Sequence, residues 1–183
     1  MKKNKLLKLF SSWIHIAFPI ATLFFVCSCE NAPDASGLSS RERKEIESAV
    51  INRYNAMIKY AEAGDLESIF SHFDPAETGS LIEGGTRFPT LQDMMDNFRP
   101  TWKIKSQDYG IPDTKIFVLS PKFVYVSSTS IVRSTTREGI NFRPRPWSVS
   151  TIWTLKDGEW FIHSFHQFAA DPVPEEAEVK KEN

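Results

Sequence analysis

The chain has 183 residues, with 22 basic and 23 acidic side chains and 13% aromatic residues. This length predicts a single domain with its own apolar core. Without the four lysines that precede Cys29, 18 basic residues face 23 acidic ones, and this acidic balance argues against nucleic acid as a partner.

Residues 1–28 have the pattern of a secretory signal. Four lysines and no acidic residue accompany an apolar run of about 14 residues. The segment ends in Val26-Cys27-Ser28-Cys29, which resembles a bacterial lipobox, although Leu is usual at its first position. We therefore predict cleavage before Cys29 and lipid on Cys29, which anchors the protein to a membrane in a bacterial cell envelope, facing outside the cytoplasm.

Two other interpretations of this segment stay open, namely secretion without lipid and an uncleaved membrane anchor. An anchor needs about 20 apolar residues, and this run is shorter and contains His15 and Pro19. Cys27 is a rival lipid acceptor, but bulky residues precede it. Both cysteines lie in this segment, so we expect no disulfide in the folded domain.

The composition of both ends predicts where the domain begins and ends. Residues 29–38 hold the lipidated Cys and a tether of small and polar residues without periodicity. Residues 171–183 are acidic and proline-containing, and we predict that this tail is disordered. The folded domain is therefore predicted to span 39–170.

The first half of this domain is predicted to be helical. Ser39 and Glu42 fit a capping box, and Gly64 ends the first helix. The apolar stripe of that helix is Ile46, Val50, Tyr54, Met57 and Ala61.

Two shorter helices are predicted to follow. Asp65 caps the second helix, and a short segment over 80–83 leads to the third. Thr90 with Asp93 caps the third helix, and Pro100 follows its end.

The second half is predicted to be strand, because it is rich in β-branched and aromatic residues. The predicted strands are 102–108, 115–119, 122–134, 148–155 and 160–168. Residues 135–147, with three arginines and two prolines, are predicted to form a long loop. The fold class is α+β, with three N-terminal helices packed in the concave face of a strongly curved antiparallel sheet.

The two-residue loop Asp157-Gly158 predicts the register of the last hairpin. The predicted pairs are Leu155–Trp160, Trp153–Ile162, Thr151–Ser164 and Val149–His166, all on the concave face. The outer face is predicted to carry Ile152, Phe161, His163 and Phe165. A second copy of the chain covering this apolar face would make a homodimer.

The order of helices and strands, together with the ending D-G-E-W-F-I-H-S-F-H over 157–166, resembles the SnoaL-like branch of the nuclear-transport-factor-2-like (NTF2-like) superfamily over about 40–168. The long Arg/Pro segment and Gln167-Phe168 depart from that pattern. The resemblance implies a cone-shaped α+β barrel with an apolar pocket, often in homodimers. It implies no single chemistry, because members include isomerases, dehydratases, cyclases and non-catalytic binders.

We predict a non-catalytic domain that binds a small apolar ligand or a protein partner, without cofactor or metal. The predicted pocket residues are Tyr54, Thr151, Trp153, Ile162, Ser164 and His166. His163 and His166 cannot share a metal ion, because residues three apart on a strand lie on opposite faces.

The alternative is a small cofactor-free isomerase, dehydratase or cyclase with His166 as general base. A structural histidine is the simpler explanation, since no carboxylate lies beside it in this register. Related isomerases use an Asp base and a Tyr donor, for which Asp108 with Tyr109, or Tyr54, are the candidates.

Four arginines lie within thirteen residues, namely Arg133, Arg137, Arg143 and Arg145. They could bind an anionic ligand, an acidic partner or lipid headgroups. A solvated hairpin loop is the simpler explanation.

The lipid anchor can be tested by replacing its acceptor. Cys29→Ala should release the protein from the membrane fraction, because the only predicted lipid site is lost, whereas Cys27→Ala should not. Cell fractionation with mass spectrometry of the mature N-terminus checks this. Continued membrane attachment with alanine at 29 would rule out the lipid anchor.

Overall fold

The computed structural model describes residues 37–76 and 78–175, which form an α+β domain with helices on one face of a curled, unclosed seven-stranded sheet. The fold class predicted from the sequence is confirmed. The signal segment, Cys29, most of the tether and residues 176–183 lie outside the described residues. Within the described ranges, no helix is long and apolar enough to cross a membrane.

Residues 37–76 and 78–175 form three helices and seven strands. The helices are α1 (Ser40–Glu62), α2 (Leu66–Phe70) and α3 (Leu91–Phe98). The strands are β1 (Leu81–Glu83), β2 (Thr86–Phe88), β3 (Ile104–Asp108), β4 (Asp113–Ser120), β5 (Phe123–Thr136), β6 (Asn141–Lys156) and β7 (Glu159–Ala169).

The sheet runs in the order β2-β1-β7-β6-β5-β3, and β4 pairs with the part of β5 that β3 leaves open. All pairings are antiparallel except the short one between β1 and β7. The long strands β5 and β6 therefore connect the two ends of the curled sheet.

The predicted helix caps are confirmed, since cap chemistry depends on neighbouring residues. Ser39 and Glu42 form the capping box of α1, and Thr90 and Asp93 form that of α3. Gly64 has φ of +68° at the end of α1, and a Cβ there would lie 2.7 Å from the Ile104 carbonyl oxygen. Glycine is required at this position, because it allows the close approach of α1 to β3.

The predicted apolar stripe of α1 faces the sheet. Val50, Tyr54, Met57 and Ala61 are buried, and Ile46 packs partly buried against the same core. Trp153 of β6 is fully buried in the same core. Burial of this stripe holds the helix in the concavity of the sheet.

The short segment predicted over 80–83 leads to the third helix through a hairpin, whose first strand is β1. Gly84 and Gly85 form its two-residue loop with φ of +54° and +83°. Such a loop needs positive φ at both positions, which glycine allows. The hairpin extends the sheet along the edge of β7 and carries Glu83 beside Gln167.

The prediction of a long loop over 135–147 is wrong. Strand β5 continues to Thr136, and β6 begins at Asn141, so only a tight turn remains. Pro144 is accommodated because the β5–β6 register shifts there, between the pairs Val132–Arg145 and Ser134–Phe142. A strand tolerates proline at such a bulge, where a ladder hydrogen bond is already missing.

The predicted register of the last hairpin holds only near its turn. Leu155 pairs with Trp160, and Trp153 with Ile162, as predicted. A bulge at His163 then shifts the register between β6 and β7 by one residue. Ile152 therefore pairs with Ser164, and Thr151 pairs with Phe165. A shift of one residue exchanges the two faces of a strand. Phe165 is therefore buried instead of lying on the outer face.

The chain beyond β7 runs along the first residues of β6. The Arg143 amide donates to the Val173 carbonyl at 2.8 Å, and the Glu175 amide donates to the Asn141 carbonyl at 2.9 Å. Hydrogen-bonded backbone therefore continues to Glu175, five residues beyond the predicted end of the domain.

Candidate functional site

A cavity of about 160 Å³ lies between the helices and the concave face of the sheet. Most of its wall is apolar. Met57, Ile58 and Ala61 of α1 contribute to one side, and Phe165 of β7 contributes to the sheet side. The polar side chains on the wall are Glu83, Gln107, Tyr109, Arg145 and Gln167.

Glu83 brings a carboxyl group to this cavity from the end of β1. Its Oε1 accepts a hydrogen bond from Gln167 Nε2 at 3.1 Å, whereas its Oε2 is buried without a partner. Burial raises the pKa of the carboxyl to about 7, and the hydrogen bond from Gln167 opposes this only in part. The group can therefore donate or accept a proton near neutral pH.

Tyr109, which directly follows β3, is a buried phenol on the wall of the same cavity. Its hydroxyl donates to Gln107 Oε1 at 2.8 Å, and its ring packs edge-on against Trp147 with centroids 4.8 Å apart. Burial raises the pKa of Tyr109 above its usual value, so the phenol is neutral. The indole Nε1 of Trp147 is buried and makes no hydrogen bond.

Arg145 of β6 brings a cation to the cavity wall. Its Nε and Nη1 are buried and make no hydrogen bond, and its Cζ lies 5.8 Å from the centroid of the Phe142 ring. Burial lowers the pKa of the guanidinium, although arginine stays charged at neutral pH. The cavity thus holds buried polar atoms of both kinds, donors and acceptors, that the protein itself leaves unpaired.

Four of the six predicted pocket residues belong to the packed core, not to the cavity wall. Trp153 and Ile162 are fully buried, and Thr151 accepts a hydrogen bond from Trp153 Nε1 at 2.8 Å. The Tyr54 hydroxyl lies near the Ser128 hydroxyl but makes no hydrogen bond with it. Burial raises the pKa of Tyr54 to about 12.

The other two predicted pocket residues, Ser164 and His166, lie on the outer side of β7. Ser164 accepts a hydrogen bond from the Ser80 amide at 3.2 Å. His166 is exposed beside Ser150 and Ile82, because the bulge at His163 turns it away from the cavity. His166 therefore has no access to the cavity as a general base. The described ranges also hold no group of three potential metal-binding side chains.

The remaining candidate residues from the sequence also divide between the cavity wall and the exposed surface. Tyr109 lines the cavity, but Asp108 is exposed, with its carboxylate 3.8 Å from Arg133. Of the four arginines, Arg145 reaches the cavity, whereas Arg133 and Arg143 are exposed. The arginines therefore do not form one anion-binding loop.

Glu83 was missed because the strand that carries it was not recognised. The signal was present: Gly84-Gly85 between two apolar segments is a hairpin motif, and Glu83 directly precedes it. Phe165 was assigned to the wrong face because the bulge at His163 leaves no local signal in the sequence. No local pattern separates Arg145 from its exposed neighbours.

No protein-family model matches the chain, and no curated protein matches it. Solved structures do. An NTF2-like protein of unknown function from Shewanella oneidensis MR-1 is 12% identical with a TM-score of 0.53, over 67% of this chain and 98% of that one. A protein of the NTF2-like family from Streptomyces avermitilis is 16% identical with a TM-score of 0.58, over 72% and 98%.

A third structure is the hexachlorocyclohexane dehydrochlorinase LinA-type3 from Novosphingobium barchaimii LL02. It is 10% identical with a TM-score of 0.59, over 76% of this chain and 96% of that one. The chain has the NTF2-like fold. Identities this low establish the fold alone, so the NTF2-like scaffold carries no chemistry over to this chain.

The raised pKa of Glu83 predicts a pH dependence of stability. Between pH 4.5 and about 7 the folded carboxyl holds a proton that the unfolded chain has lost, so stability falls as the pH rises through this window. At about 1.4 kcal/mol per pKa unit, the loss across this window is on the order of 3–4 kcal/mol. Tyr109 and Arg145 share the cavity with Glu83 but do not titrate in this range.

Glu83→Gln should remove this loss, and Glu159→Gln, at an exposed turn, should not. Urea unfolding of the three proteins between pH 4.5 and 7.5 measures the difference. Parallel pH profiles of the wild type and Glu83→Gln would contradict the raised pKa.

Proposed function

We propose that the cavity binds a small, largely apolar molecule with at least one polar group, and that the domain acts as a binding module. The observation that carries this proposal is the set of unpaired buried polar atoms on an otherwise apolar wall. These atoms are Glu83 Oε2, Arg145 Nε and Nη1, and Trp147 Nε1.

The unpaired polar atoms on the cavity wall carry an energetic cost. A buried polar group without a partner destabilises the folded state by about 1–3 kcal/mol. A ligand that supplies those partners offsets this cost and buries its own apolar surface against residues such as Phe165 and Met57. Ligand sites of this kind are concave, mostly apolar, and carry a few directed polar groups.

The proposed location is outside the cytoplasm on a bacterial membrane. The lipobox-like sequence before Cys29 supports it, as does the absence of cysteine from residues 30–183. A tether between Cys29 and α1 would hold the binding domain near the bilayer surface.

A second candidate function is proton-transfer catalysis, and the pKa of Glu83 near 7 is the observation that favours it. In this mechanism Glu83 would replace His166 as the general base or acid, and Gln167 would orient it. An activity that Glu83→Gln abolishes while ligand affinity persists would favour catalysis over binding alone.

We also propose that the outer sheet face forms a homodimer. Phe117, Leu119 and Phe123 are each about half exposed there, and Phe117 packs beside Tyr125 with ring centroids 5.9 Å apart. A two-fold pair of sheets would bury this apolar surface.

The proposed binding site predicts that filling the cavity abolishes ligand affinity. Ala61→Phe places a phenyl ring in the cavity and should weaken binding of the neutral probe 3-phenylpropanamide by at least about tenfold. Ala49→Phe, on the exposed face of the same helix, should leave affinity unchanged. Calorimetric titration, with circular dichroism to check folding, measures this. Equal affinities in a folded Ala61→Phe protein would place the site elsewhere.

The dimer predicts a charge-sensitive outer face. Phe117→Glu should yield folded monomers, because like charges would oppose each other across the two-fold interface. Lys115→Glu, on the same strand, is the control for the effect of charge alone. Sedimentation velocity of the chain from residue 30 onward, at tens of micromolar, gives the association state. A wild-type protein that sediments as a monomer would end the proposal.

A further inference from the structure

Arg145 lacks a counter-charge within the described part of the chain. The ion pairs of residues 37–76 and 78–175 do not include it, although other arginines such as Arg99 and Arg133 have carboxylate partners. Its Nε and Nη1 are buried without a hydrogen bond, and Phe142 offers only the face of an aromatic ring. An arginine so placed favours a hydrogen-bond acceptor from outside the described residues.

Trp147 extends the same donor group. It lies two residues beyond Arg145 on β6, and residues two apart on a strand share a face. Both residues line the cavity, and the Trp147 Nε1 is buried and unpaired. Arginine and tryptophan side chains are donors only, so the three unpaired nitrogen atoms together call for an oxygen-rich acceptor.

The nearby Glu83 limits what this acceptor can be. Its carboxyl lines the same cavity and would repel a multiply charged anion such as phosphate. Most of the rest of the wall is apolar, and the volume is about 160 Å³. A single negative charge on a compact apolar body fits these conditions.

We propose that the ligand of this cavity is a small apolar carboxylic acid, bound as its carboxylate by Arg145 and the indole N–H of Trp147. This inference rests on the proposed binding function and assigns the ligand class. The two carboxylate oxygens offer about four lone-pair positions, which suffice for all three unpaired donors. Charge-assisted hydrogen bonds of this kind are stronger than neutral ones, so the acid is preferred over its neutral isosteres.

The test compares three probes of the same shape against the full-length chain in lipid nanodiscs, with empty nanodiscs as the blank. Calorimetric titration at pH 7 should give 3-phenylpropanoate an affinity at least about tenfold above that of 3-phenylpropanamide. The cationic 3-phenylpropan-1-amine should not bind measurably. Trp147→Phe, which removes the indole donor, should weaken the acid more than the amide, because the hydrogen bond to the carboxylate is charge-assisted.

Arginine variants decide which side chain carries the preference. Arg145→Gln should reduce the acid-to-amide ratio to about one, whereas Arg143→Gln, an exposed arginine of the same strand, should leave the ratio unchanged. Arg145→Lys keeps the charge and should retain part of the preference, which guards against a folding defect in Arg145→Gln. Thermal unfolding of each variant checks the fold.

The outcomes separate this inference from the function on which it rests. Equal affinity for acid and amide in the wild type, or an acid preference that survives in Arg145→Gln, would overturn the carboxylate assignment while leaving an apolar binding site in place. Binding of none of the three probes would overturn both.

Discussion

One extra residue in β7 determines which side chains reach the cavity. The register of β7 against β6 shifts by one residue at His163, so the residues after it alternate in the opposite sense to those before it. Phe165 and Gln167 therefore point into the cavity, whereas His166 lies on the outer surface. The bulge is held from the other edge of β7, where the Gly79 amide donates to the His163 carbonyl at 2.6 Å. A Cβ on Gly79 would lie 2.5 Å from the Ser164 hydroxyl oxygen, so a larger residue there would displace that side chain.

The features that could be predicted from the sequence are those with local causes. The capping boxes at Ser39 and Thr90 depend on a residue three positions further along the chain, and both are present. The loop at Asp157-Gly158 sets the first pairs of its hairpin correctly. The register beyond those pairs depends on contacts made by residues far away in sequence, including Gly79. Strand pairing that is imposed from a neighbouring edge leaves no periodic signal in the strand itself.

The cavity residues that were missed share a related cause. Prolines near Arg145 are typical of loops, but Pro144 occupies a bulge of β6, where the missing N–H has no consequence for the ladder. Arg145 therefore lies on a regular sheet and reaches the cavity instead of solvent. Glu83 lies on a strand of only three residues, which is too short for alternation to be recognised. Both charged residues of the site thus depend on strands that the hydrophobic pattern could not identify.

The relation between Glu83 and Arg145 explains why the cavity suits a ligand better than a packed core. An ion pair between them would lower the pKa of Glu83, yet burial raises it to about 7. The two side chains line one cavity without neutralising each other, and each keeps buried atoms without partners. Such a site weakens the folded state when it is empty, because desolvation of both groups is not offset. A bound carboxylate removes the penalty at Arg145, while a carboxyl with a pKa near neutrality adapts its own protonation to the charge placed beside it.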